Sequence, residues 1–154
     1  MTWRTAGSAA AIVLVLVYAF GSGLWVQTGD GWYRSLVRPP WQPPDVVFGL
    51  IWPYNFIVLG AVGVAVMSGG PVTRAVWLGC LAASVVGALT WARLFYVSHS
   101  LWASGVALSA AALFTVPLVV IAFRHSLVSG VVMVPYVLWL GIAASLAFGY
   151  AARN

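Results

Sequence analysis

The chain has 154 residues, of which 63% are hydrophobic and 6% charged. Soluble domains carry about a quarter charged residues. Seven arginines with Asp30 and Asp45, and no lysine or glutamate, are too few to cover a water-soluble protein of this length. Lipid must cover the rest. One cysteine, Cys80, and two distant histidines leave no intrachain disulfide and no metal-ligand cluster.

Five apolar runs reach the roughly 20 residues a membrane-spanning helix needs: residues 6–26, 46–67, 72–97, 101–123 and 127–151. Turn formers and charges separate them at Thr28-Gly29-Asp30-Gly31, Ser68-Gly69-Gly70-Pro71, Ser98-His99-Ser100 and Arg124-His125-Ser126. No alternating segments of about ten residues suggest a barrel. The expectation is an all-α membrane protein: one domain over 1–154, a five-helix transmembrane bundle, and no nucleic-acid partner. The first run is longer than a usual signal core and is read as a span. Arg4, Arg74 and Arg124 fall on one side; Arg34, Arg38 and Arg153 fall on the other, with Arg93 near them. That near-tie leaves the orientation, and which membrane, unassigned.

The first connection is long, about residues 27–45, and contains RPPWQPP. Prolines lack an N–H donor and fix φ, so residues 38–44 cannot be helix or strand. Trp32, Tyr33 and Trp41 fit an interfacial aromatic belt. They also fit a lid, because a tryptophan framed by Pro39, Pro40, Pro43 and Pro44 has little entropy left to lose on contact. Asp45 is placed to cap the second span. Pro53 should kink that span and free the carbonyl of Gly49.

Within the spans, Phe48/Trp52, Trp91/Phe95 and Trp139/Ala143 are each i, i+4 pairs sharing one helix face. Such pairs are common in plain packing and are equally suited to a flat apolar ligand. Arg93 lies about one turn inside the third span, where it can snorkel to the surface or reach a ligand carboxylate or Asp45. Gly79, Ala83 and Gly87 form a small-residue stripe suited to a homodimer, with Gly141, Ser145 and Gly149 as the competing stripe; either can serve packing within one protomer. Leu146, Tyr150 and Arg153 fit a weak sterol-contact pattern, or simply an interface anchor. Two carboxylates and two histidines at the membrane edge offer no conventional acid–base or nucleophile site.

Trp32-Tyr33, Leu36, Pro39, Trp41, Pro43-Pro44, Phe48, Trp52 and Gly60 form one cluster. Trp91 with Leu94-Phe95-Tyr96 forms a second, and Pro135-Tyr136, Trp139 and Ala143 a third. On these the chain resembles the translocator protein (TspO) family of tryptophan-rich sensory proteins, over nearly its whole length. The resemblance implies a five-helix bundle, often dimeric, with a pocket below the first loop for porphyrins such as protoporphyrin IX, sterols or synthetic apolar ligands. Its site would draw on Trp32, Trp41, Pro43, Pro44, Phe48, Trp52, Trp91, Phe95, Trp139 and Ala143, with Arg93 added from this chain. It needs no cofactor; a porphyrin is its ligand. Three activities follow as expectations: binding or sensing; light-dependent porphyrin degradation, with Trp52 and Trp139 as oxidisable groups; or transport across the membrane. The chain departs from the family at Ala88 and Ala147, where asparagine is usual, and at Phe56, where tyrosine is common.

Overall fold

The computed structural model describes residues 2–154. It contains α1 (Trp3–Trp25), α2 (Gly31–Ser35), α3 (Asp45–Val66), α4 (Pro71–Tyr96), α5 (Leu101–His125) and α6 (Leu127–Ala151). All but α2 are long and apolar enough to cross a membrane. The expected spans are thus present, with ends shifted by at most a few residues. The short helix α2 was not anticipated. Asp30 starts it by accepting the Tyr33 N–H on Oδ1 at 2.7 Å. Residues 36–44 stay non-helical, as their prolines require.

Local chemistry sets the other ends. The Thr2 hydroxyl accepts the Thr5 N–H, and Ser126 Oγ accepts the Ser129 N–H. Pro71 opens α4, where a missing N–H costs nothing. The expected cap at Asp45 is corrected: Pro44 holds the N-cap position, and Asp45 is the first helical residue. There its charge still complements the helix dipole, and it pairs with Arg38 at 3.7 Å.

The long helices close a ring in the order α1, α3, α6, α5, α4, with tight antiparallel pairs α4–α5 and α5–α6. The core is built from Trp77, Leu81, Leu108, Leu118, Met133 and Leu140. The outer faces carry Leu16, Phe20, Leu50, Ile57, Leu113 and Leu138, which only lipid can cover. Small residues set the close approaches. A Cβ on Gly87 would stand 3.0 Å from that of Ala111, so Gly87 serves α4–α5 packing inside the protomer. Gly79 faces open space.

Asn55 is fully buried in α3, and neither its amide nitrogen nor its oxygen has a partner. An unsatisfied buried polar group costs about 1–3 kcal/mol. Asn55→Leu should therefore raise the thermal midpoint in detergent, gaining roughly 1 kcal/mol. A lowered midpoint would show that the amide is satisfied in the folded protein.

Candidate functional site

At the loop end the ring is not filled. A cavity of ≈ 680 Å³ opens there between α1, α3, α4 and α6, beneath the first connection. Its size lies within the roughly 300–1,000 Å³ of small-molecule sites. Phe48 and Trp52 from α3, Trp91, Phe95 and Tyr96 from α4, and Ala143, Leu146, Ala147 and Tyr150 from α6 wall it. The α1 side is made of small residues, Ala19, Ser22 and Gly23. Tyr33, Arg34, Arg38, Gln42 and Asp45 bring polar groups to the mouth.

The connection is fastened over this space at several points. Trp32 stacks on His99, ring centroids 3.7 Å apart and nearly parallel. His99 has a positive φ of 55°, the left-handed conformation that turns α4 into α5. Tyr33 is buried among Phe95, Tyr96 and Tyr150. The Tyr150 hydroxyl donates to Gln42 Oε1 and lies 3.3 Å from the Tyr33 hydroxyl. Asn154 grips Val37, accepting its N–H at 2.8 Å and donating to its carbonyl at 3.3 Å. Trp41 and Pro39 lie on Gly149, whose missing side chain makes the approach possible. The Trp41 N–H donates to Ser145, and the Arg153 guanidinium stands 4.8 Å over the Trp41 ring. The connection is a lid clamped to the C-terminal end of α6.

Among the expected site residues, Phe48, Trp52, Trp91, Phe95 and Ala143 line the cavity together. Trp139 stands behind them, edge-on to Phe48 at 5.0 Å and to Trp52 at 6.4 Å. It braces the wall and does not form it. Trp32 and Trp41 hold the lid from outside the cavity. Pro43 and Pro44 border a separate shallow depression of ≈ 350 Å³ on the outer surface.

Arg93 does not reach the cavity and is exposed. The reason is helical period: Trp91 and Phe95 face inward, and a residue two positions after Trp91 is turned roughly 200° away. Asp45 pairs with Arg38 instead. The cations at the mouth are Arg34 and Arg38, an i, i+4 pair on and just after α2 that sequence reasoning counted only as edge charges. Leu146 and Tyr150 turn inward to the cavity, so with Arg153 they form neither a lipid-facing sterol pattern nor an interface anchor. Tyr150 was legible as a wall residue: Ala143, Leu146, Ala147 and Tyr150 follow the 3, 4, 7 spacing of one helix face. Ala88 is fully buried away from the cavity lining, whereas Ala147 is part of it. The competing stripe on α6 is also accounted for, since Ser145 and Gly149 seat the lid.

Comparison with known proteins agrees with this architecture. The TspO/MBR family model matches residues 9–153. The tryptophan-rich protein TspO of Chlorobaculum tepidum is 31% identical over 150 residues, covering 95% of this chain and 94% of that protein. Protein CrtK of Rhodobacter capsulatus is 28% identical, with 94% and 91% covered. The tryptophan-rich sensory protein of Cereibacter sphaeroides is 28% identical, with 88% and 87% covered. The chain belongs to the TspO/MBR family, and its five long apolar helices make it an integral, multi-pass membrane protein.

Proposed function

We propose that the protein is a membrane receptor of sensory type for a flat, amphiphilic, anionic ligand of the tetrapyrrole class, such as protoporphyrin IX. The observation that carries this reading is the pairing of aromatic cavity walls with two arginines at the mouth. Trp52, Phe48 and Trp91 offer ring faces and edges to a planar macrocycle. Arg34 and Arg38 offer donors to carboxylates on one edge of it. A sterol would suit the walls and leave both cations unused. A carrier would need a path onward, yet the far half of the bundle is packed by Leu59, Val62, Val66, Met67 and Trp77. No cofactor takes part in binding.

Titration in the dark with protoporphyrin IX should quench tryptophan fluorescence saturably. Trp52→Ala should weaken binding about tenfold, since burial of an aromatic side chain is worth roughly 1.5–3 kcal/mol. Quenching without saturation, or an unchanged Trp52→Ala titration, overturns the reading.

A second activity has one observation in its favour: Trp52 lies on the cavity and touches Trp139 edge-on. A light-absorbing ligand held there would have oxidisable indoles beside it, with the photochemistry supplied by the pigment. Bound pigment should then bleach faster than free pigment under illumination, and Trp52→Phe should slow it. Equal bleaching of bound and free pigment leaves binding alone.

The homodimer expected on the α4 stripe is retained as a proposal on Gly79 and Ala83 only, because Gly87 is engaged with α5. Ala83→Phe should yield monomers in detergent; an unchanged dimer moves the interface elsewhere.

A further inference from the structure

The cavity has an edge that the lid does not cover. Helices α1 and α3 run antiparallel and meet closely at the far end, where a Cβ on Gly63 would stand 3.2 Å from the Ala11 side chain. Farther up, the Tyr18 ring meets Phe56 and Trp52 edge-on at 5.1 and 5.9 Å. Above Tyr18, no hydrogen bond or ring contact joins the two helices among the described residues. Ser22 and Gly23 of α1 and Gly49 of α3 line the cavity at that level. Gly23 and Gly49 are also exposed, and a Cβ on either would meet nothing within 4 Å. Residues that border the cavity and the outside at once are the rim of an opening.

The position of this rim matters. It runs from Asp45 down to Trp52, about 10 Å along the helix at 1.5 Å per residue. Leu24 and Leu50 flank it as exposed apolar side chains, 73% and 70% accessible, so lipid tails reach its sides. Its upper end is at Asp45 and Arg38, among the chain's few charges. The opening therefore spans the boundary between headgroups and acyl chains. An amphiphile resting in the leaflet has its apolar body and its anionic edge at these same two heights. The lid offers no comparable route, being fastened by the Trp32–His99 stack, the Tyr150–Gln42 bond and the Asn154–Val37 pair.

The geometry points to the gap between α1 and α3 as a lateral portal: the ligand slides from the bilayer leaflet into the cavity, apolar body first, while the lid stays closed. This rests on the reading of the cavity as a binding site. Small residues at positions 19, 22, 23 and 49 keep the gap open, and Tyr18 and Trp52 form its sill.

The test uses the full chain in phosphatidylcholine vesicles loaded with protoporphyrin IX, with tryptophan quenching followed by stopped flow. Gly23→Leu, and Gly23→Leu combined with Gly49→Leu, narrow the portal. Association and dissociation rates should fall together by about tenfold or more, with affinity nearly unchanged, as for a passage that is not itself the seat. Trp32→Ala, which unstacks the lid from His99, should leave the association rate as it is. The proposal fails if both portal variants associate at the wild-type rate. It fails equally if they lose affinity through dissociation alone, or if Trp32→Ala speeds entry. Absence of saturable binding by the wild type would refute the binding-site reading itself, before any rates are compared.

Discussion

Replacing Arg34 and Arg38 together by leucine should abolish discrimination between protoporphyrin IX and its dimethyl ester. The free acid carries two carboxylates and the ester none. A charge-assisted hydrogen bond contributes about 1.5–3 kcal/mol when desolvated. The Arg38 side chain is about half exposed and already paired with Asp45, so the lower figure applies. The wild type should then prefer the free acid by roughly tenfold to a hundredfold. The double variant should bind both ligands with the ester's affinity. Arg93→Leu should keep the full preference, since Arg93 points away from the cavity. Both ligands must be compared in one detergent because they partition differently. A preference lost with Arg93 and kept without Arg34 and Arg38 would reverse the assignment.

The second large effect is expected at Gly149, far from any charge. A Cβ there would stand 2.7 Å from Trp41 Cζ2 and 2.8 Å from Pro39 Cγ. Those distances force movement, and the proline frame leaves Trp41 and Pro39 few ways to yield. Gly149→Leu should lift the lid from α6, breaking the Trp41–Ser145 bond and the Arg153–Trp41 stack. Overpacking of this kind costs about 1–3 kcal/mol. Thermal stability should fall by that amount, and porphyrin affinity should fall about tenfold as the mouth loses its shape. Gly141→Leu, one turn deeper than Ser145 and facing open space, is the control and should change neither. Equal behaviour of the two variants would show that the lid is not seated on Gly149.

The fold was legible because its signals are long. Five runs of apolar residues and five clusters of prolines, glycines and charges fix the spans without regard to side-chain direction. The lid was legible for a related reason, as four prolines around Trp41 admit only an extended path. The site was legible only in part, because membership of a cavity depends on direction. Trp91 and Arg93 are two residues apart and face opposite ways. Trp139 and Ala143 share a face, yet only Ala143 reaches the cavity, since Phe48 stands between it and the deeper Trp139. Trp41 looked like a lid residue facing inward, whereas it lies outward on Gly149 and Ser145. Nothing in the spacing of an irregular loop specifies which side a tryptophan takes. Arg34 and Arg38 were hidden for the same reason. Their place at the mouth depends on α2, a five-residue helix started by Asp30, whose single turn has too little periodicity to be read.

The central claim is that the cavity under the lid seats an anionic planar ligand, and a structure of the complex with protoporphyrin IX tests it most directly. The macrocycle should lie against Trp52, Phe48 and Trp91, with its carboxylates within about 3 Å of the Arg34 or Arg38 guanidinium. A ligand on the outer face of the bundle would contradict the claim, as would one in the cavity with its carboxylates directed down toward Tyr18.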